Sequence, residues 1–318
     1  MRRSKRIAVV ALMVALTGCL LIAWGAAVGA EPAFRIAKSP GAVSVASPDG
    51  RPLFRYMTQK PADSPLTANS ACCLHPICTP SGAVVSAFAP ADHRHHRGAF
   101  LGWYAIRGPK DADFWGWGQF APTKDRAIEN RSVDAAATAA DATLTIANDW
   151  RAEDMVLIRE RLVVRAAVQD GVNLLDLTYT LTPTADLTLD RSAFAGFCFR
   201  GRSDGRVAYT DPDGEVKLPD PHHLKPETVW PAKAWYDFSI TPADGHTIGA
   251  AVVDHPANQT TGWHNHRGVW MLNPCITNAA AVSLAKEKPR TLRYLLVVHD
   301  GPAPTALLDR IGGAWRAK

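Results

Sequence analysis

From Leu174 to Leu181 the chain alternates apolar and polar side chains, Leu175, Leu177, Tyr179 and Leu181 against Asp176, Thr178 and Thr180. Successive side chains of a strand point to opposite faces, so this period of two marks a strand with one face in a core. Ala142 to Ala147 and Leu187 to Leu189 carry the same signal, and Val156 to Val164 carries it loosely. Thr291 to His299 reads as a further strand with one buried face. Asp170-Gly171, Asp213-Gly214 and Asp244-Gly245 are turn signals, with glycine supplying positive φ. The small, polar stretch Asp134 to Ala142 suits an exposed turn or edge. Only Ala303 to Trp315 reads as a helix, with Ala306, Leu307, Leu308, Ile311 and Trp315 at helical spacing. Many regularly spaced strands with one short C-terminal helix predict an all-β fold, a large antiparallel sandwich or a barrel.

The N-terminus predicts export. Arg2, Arg3, Lys5 and Arg6 precede an apolar run from Ile7 to Ala30, which ends in small residues before Glu31-Pro32. That is the layout of a secretory signal over 1–30, followed by one domain over 31–318. Leu16-Thr17-Gly18-Cys19 resembles a lipobox with Cys19 as lipid anchor, but the residues after Cys19 stay apolar. The run also reaches the ~20 residues that span a bilayer. All three readings carry the domain out of the cytoplasm, to a periplasmic or extracellular location, and a cleaved signal leaves no stable membrane insertion. A protein with several membrane-spanning helices is excluded, because there is one apolar segment at most.

Charge excludes another class. Four of the 35 Lys and Arg residues lie in the first 30, leaving 31 basic against 30 acidic residues in the remainder. A near-neutral domain has no electrostatic footprint for nucleic acid. Beyond Cys19 there are Cys72, Cys73, Cys78, Cys198 and Cys275; the odd count leaves at least one thiol without an intrachain partner. The spacing of Cys72, Cys73 and Cys78 matches no paired zinc pattern.

The chemistry gathers in histidines. Asp92-His93-Arg94-His95-His96-Arg97-Gly98 is one cluster; Asp254-His255-Pro256-Ala257-Asn258 and Trp263-His264-Asn265-His266 form a second, with His75 and His299 apart. On strands, His93 would share a face with His95, and His264 with His266. Two such pairs offer four imidazoles to a metal, or donors and a general base to a sugar or carboxylate. Arg94 and Arg97 oppose a cation, so no metal and no cofactor is expected. Aromatic residues flank both clusters, Trp103 and Trp115 on one side and Trp263 on the other, as in a pocket with apolar walls and convergent polar groups. The Gly/Trp loop Phe114 to Phe120 suits either core packing or sugar stacking. Arg200, after an apolar strand, is a carboxylate clamp or a strand-end ion pair.

Several motifs occur in order. His75-Pro76-Ile77-Cys78-Thr79-Pro80-Ser81-Gly82, Asp92-His93 through His96-Arg97-Gly98 with Leu101-Gly102-Trp103, Asp113-Phe114-Trp115-Gly116, Asp254-His255-Pro256 with Asn258 and Trp263-His264, and Leu292-Arg293-Tyr294 to His299-Asp300-Gly301 all resemble the bacterial PmoA-like family. This is a domain-of-unknown-function family labelled "methane oxygenase PmoA". The resemblance spans nearly the whole domain. It implies a galactose-mutarotase-like β-supersandwich and a role in carbohydrate metabolism.

Together these readings lead to an exported carbohydrate-active enzyme, a hydrolase, lyase or epimerase, acting on a sugar or sugar acid. His93, His96 and His264 are the acid/base candidates, with Asp254 to orient an imidazole. His75, His95, Arg97, Trp103, Trp115, Arg200, His255, Asn258, Trp263 and His299 are the substrate-binding candidates. No carboxylate pair suits a two-carboxylate glycosidase. A non-catalytic glycan-binding module and a histidine-ligated metalloprotein are the alternatives.

Overall fold

In a computed structural model, which describes residues 33–318, the alternating segments pair into two large antiparallel sheets. The predicted signal and Cys19 lie outside the described residues. One sheet has seven strands, in spatial order Arg35–Ser39, Ala42–Ala46, Pro52–Met57, Cys73–Ile77, Ala99–Gly102, Gly196–Arg200 and Met271–Leu272. The other has nine: Gly214–Glu215, Gly205–Asp211, Trp235–Pro242, Ile248–Asp254, Arg290–Asp300, Val172–Pro183, Met155–Gln169, Ala142–Ala152 and Arg126–Ala137. The Asp170-Gly171 turn closes Met155–Gln169 onto Val172–Pro183, and both of its residues have positive φ (51° and 77°). Such a two-residue turn matches the twist of a hairpin. The alanine-rich stretch ends the exposed edge strand Arg126–Ala137 and enters its turn.

The two sheets face each other across one apolar core. Phe197 stacks on Tyr294 with ring centroids 4.4 Å apart, and Phe199 meets Phe238 at 6.0 Å. Leu175, Leu177, Tyr179 and Leu181, the apolar phase of the clearest alternation, are all buried there. One polar network bridges the sheets. Tyr56 Oη lies 3.0 Å from Asn148 Nδ2, which also donates to Glu160 Oε1 (2.7 Å), while Trp150 Nε1 donates to Glu160 Oε2 (2.8 Å).

The outer faces are covered differently. The helix Thr305–Arg316 returns onto the nine-stranded sheet and packs Leu308, Ile311 and Trp315 against Trp235, Val253, Leu295 and Val297. Arg290–Asp300 is therefore buried on both faces, Leu292, Tyr294, Leu296 and Val298 inward and Leu295 and Val297 under the helix. This corrects the expectation of one buried face. All five cysteines of the described residues are free and buried. Among the described residues, no helix is long and apolar enough to cross a membrane.

Candidate functional site

Phe197 and Phe199 point into the core, so their alternates Cys198 and Arg200 point out of the seven-stranded sheet, as does Phe100, the register partner of Cys198. Loops cover this outer face and enclose a cavity of about 390 Å³. His93, His95, His96, His223, His264 and His266 line it, with Trp115, Trp117, Phe194, Val269 and Met271. The two histidine clusters, far apart in the chain, meet here.

The first cluster is not a strand. His93 N donates to Pro90 O and His96 N to His93 O, so consecutive turns carry the segment. His93 consequently stacks on His96 (4.9 Å, 16° between planes), and His95 meets His96 edge-on at 4.6 Å. All three rings converge, where a strand would have turned His96 away. Gly98 makes this path possible. Its φ is +55°, and a Cβ there would stand 2.1 Å from Leu74 O. The second cluster is extended, and His264 and His266 share a face as expected, with centroids 6.0 Å apart.

Asp113 shapes the aromatic wall. Its carboxylate accepts from the backbone N–H of Gly116 (2.7 Å), Trp117 (2.9 Å) and Gly118 (2.5 Å). That folds the Gly/Trp loop so that Trp115 and Trp117 both reach the cavity and pack on Phe194, at 5.4 and 5.3 Å. Gly116 has φ +102° and lies against Ala68 and His95, which leaves no room for a Cβ.

Two aspartates stand behind the imidazoles. Asp92 accepts from His93 Nδ1 at 2.9 Å, and Arg200 grips both Asp92 oxygens at 2.8 Å. Burial works to raise the Asp92 carboxyl, but the hydrogen bonds from His93 and Arg200 outweigh it and hold it below the ordinary carboxylate range. With Nδ1 donating to Asp92, His93 presents Nε2 as a base. Arg200 Nη1 also lies 3.2 Å from His96 Nδ1. A guanidinium can only donate, so His96 Nδ1 accepts and Nε2 carries the hydrogen. On the other wall Asp220 Oδ2 lies 3.1 Å from His266 Nδ1, without the alignment of a hydrogen bond.

Burial keeps His95, His96 and His264 neutral. Burial, then the neighbouring His93, Arg97 and Arg200, push His95 down to about 3. Burial, then His266 and His223, push His264 down to about 3. Burial also takes His96 well below the usual imidazole value. Neutral rings explain how so many imidazoles crowd together without repulsion. Among the described residues, no group of three or more His, Cys, Asp or Glu is arranged to hold a metal ion.

Other expected site residues lie elsewhere. Arg97 is fully buried and donates to four backbone carbonyls: Ala71, His95, Trp115 and Phe114. It braces the site from behind and does not line the cavity. Arg200 likewise sits behind the wall. Trp103 packs on Trp150 in the core, and Trp263 on Tyr236. His75 bonds Ser86 and stacks on Phe88; burial and Arg55 push it down to about 4. Asp254 orients no imidazole. It accepts from Asn258 and Thr260, and burial raises it to about 7. Asn258 bonds the backbone of Arg293, and His255 lies between Arg293 and Trp315 under the helix. His299 pairs with buried Asp237 at 2.7 Å. Conversely Phe194, His223, Val269 and Met271 line the cavity without having been singled out, while His266, expected only as the partner of His264, and Trp117, expected only within the Gly/Trp loop, line it too. The adjacent pair His222-His223, shortly after Asp220, was the available signal for His223.

Fold and site together define an antiparallel β-sandwich with a histidine- and tryptophan-lined cavity on one outer face. Residues 43–311 match the Family of unknown function (DUF6807), and the chain belongs to that family. The match is to a family of unknown function, as the motifs suggested, and does not carry the PmoA-like label. No curated protein sequence matches the chain. Among solved structures it is similar to a galactose mutarotase related enzyme from Lactobacillus acidophilus, at 7% identity over 84% of this chain and 97% of that one, TM-score 0.37. It is also similar to heparan sulfate lyase HepC from Pedobacter heparinus (10% identity, 82% and 34% covered, TM-score 0.38). A third is a galactose mutarotase-like protein from Lactobacillus casei ATCC 334 (10%, 84% and 100%, TM-score 0.31). At these scores the likeness carries no argument; the sandwich rests on this chain's own two sheets.

Proposed function

We propose that the protein is an exported carbohydrate-active enzyme, a hydrolase, lyase or epimerase, that moves a proton on a sugar held in the histidine cavity. The observation that carries this is the joining of the Asp92–His93 pair, His96 and His264 with the indoles of Trp115 and Trp117 around one cavity. His93 Nε2, backed by Asp92, is the base for a sugar hydroxyl or C–H. His96 donates Nε2–H as a neutral imidazole to the oxygen on which charge develops, a role that needs a fixed donor and no net charge. His264 supplies a second neutral imidazole from the opposite wall. The indole faces take the apolar face of the ring. Export rests on the N-terminal segment.

Single alanine substitutions at His93, His96 and His264, measured on a substrate found by screening neutral sugars, glycosides and sugar acids, test the reading. Each should lower kcat by roughly 10²-fold or more while circular dichroism stays unchanged. Unimpaired turnover in all three would remove the assignment. The neutrality of His95 and His264 equally suits a glycan-binding module that transfers no proton. Calorimetric binding with no product under any condition would favour that module.

A further inference from the structure

We infer that the ligand of this cavity is an uncharged sugar, a neutral glycoside, and not a uronic acid; the inference rests on the sugar-binding reading above and narrows it. Among the described residues, no Lys, Arg, Asp or Glu lines the cavity. Sites that recognise carboxylates offer an arginine fork or a lysine to the anion. Three arginines stand close to this cavity, and each is already engaged. Arg97 spends its guanidinium on four backbone carbonyls. Arg200, with no exposed side-chain surface, is held by both oxygens of Asp92 and by His96. Arg267 is held by Asp220 and by the carbonyls of Val216 and Leu218. Arg94 is exposed and does not line the cavity.

The fixed charges beside the cavity are closed into ion pairs, Asp92 with Arg200 and Asp220 with Arg267. Asp92 and Asp220 stand 2.9 and 3.1 Å behind His93 and His266, and each is held below the ordinary carboxylate range against the pull of burial. An anion in the cavity would therefore meet no unpaired arginine or lysine. Burial holds the His95 and His264 imidazoles down at about 3, so neither supplies a counter-charge at pH 7. A neutral sugar has no such difficulty. With their Nδ1 atoms engaged, His93 leaves Nε2 as an acceptor and His96 leaves Nε2–H as a donor, and a hydroxyl can use both. Phe194, Val269, Met271 and the two indoles supply apolar surface for the ring and its substituent.

The test is calorimetric titration of the purified protein at pH 7 with matched pairs: the phenyl glucoside, galactoside and mannoside of either anomer, each beside the corresponding phenyl uronide. At least one neutral member should bind, and its uronide should bind at least tenfold more weakly. A uronide that binds as tightly as its neutral partner, or more tightly, overturns the inference and leaves the sugar site standing. Failure of every member of every pair to bind overturns the sugar reading itself, and this inference with it.

Discussion

Replacing Arg97 by methionine separates a brace from a ligand. The side chain is fully buried, with its guanidinium 4.1 Å from the Phe100 ring centre and its N–H groups on four carbonyls at 3.0 to 3.1 Å. Methionine fills similar space and donates nothing. Each buried carbonyl left without a donor costs about 1–3 kcal/mol, so four give roughly 4–12. Against this, the native state no longer has to desolvate a cation, which returns several kcal/mol. The net expectation is about 4 kcal/mol of destabilisation. In a domain of this size that corresponds to a fall in Tm of roughly 8–16 °C, read by scanning calorimetry or circular dichroism. Hydrogen exchange should rise in the segments around His95 and Trp115, whose carbonyls lose their anchor. Were Arg97 a substrate ligand instead, the variant would keep its Tm and lose binding. A Tm within about 2 °C of the parent would refute the bracing argument.

Three further outcomes are expected. Gly98→Ala puts a Cβ 2.1 Å from Leu74 O at φ +55°, so the backbone must move; urea unfolding should show a loss of about 3 kcal/mol or more, and an unchanged midpoint would contradict the close approach. Asp92→Asn removes the carboxylate that Arg200 grips and that orients His93, so kcat should fall roughly 10²-fold with a shifted pH profile and little change in KM; an unaltered profile would remove the dyad. Burial raises Glu160 from 4.5 to about 7, the hydrogen bonds from Asn148 and Trp150 opposing it. The native state therefore binds this proton more tightly than the unfolded chain. Its contribution to stability is complete below pH 4.5 and is lost as pH rises to about 7, a fall of roughly 3 kcal/mol that Glu160→Gln should flatten in denaturation curves taken across that range.

Much of this molecule was legible along the chain. The alternation of Leu175, Leu177, Tyr179 and Leu181, the Asp-Gly turns and the helical spacing near the C-terminus are local signals, because side-chain direction follows from backbone geometry within a few residues. The histidine-rich segments and the Gly/Trp loop also announced themselves by composition, and His264 and His266 share a face as an extended segment requires. What lies behind each side chain was not local. The turns from Pro90 to His96 depend on Gly98 passing against Leu74, and they bring His96 beside His93 where a strand would have parted them. Arg97 and Arg200 could not be told from ligands until their partners were known: the carbonyls of Ala71, Phe114 and Trp115 beside that of His95 for one, Asp92, 108 residues away, for the other. The block Asp254 to Asn258 carries polar residues as suggestive as those around His93, yet the helix returning over the outer face of the nine-stranded sheet encloses it with Arg293 and Trp315, far from chemistry. Hydrogen-bond partners and covering layers come from segments remote in sequence. The loops folded over the seven-stranded sheet and the helix over the nine-stranded one therefore decided which histidines line a cavity and which only hold the fold.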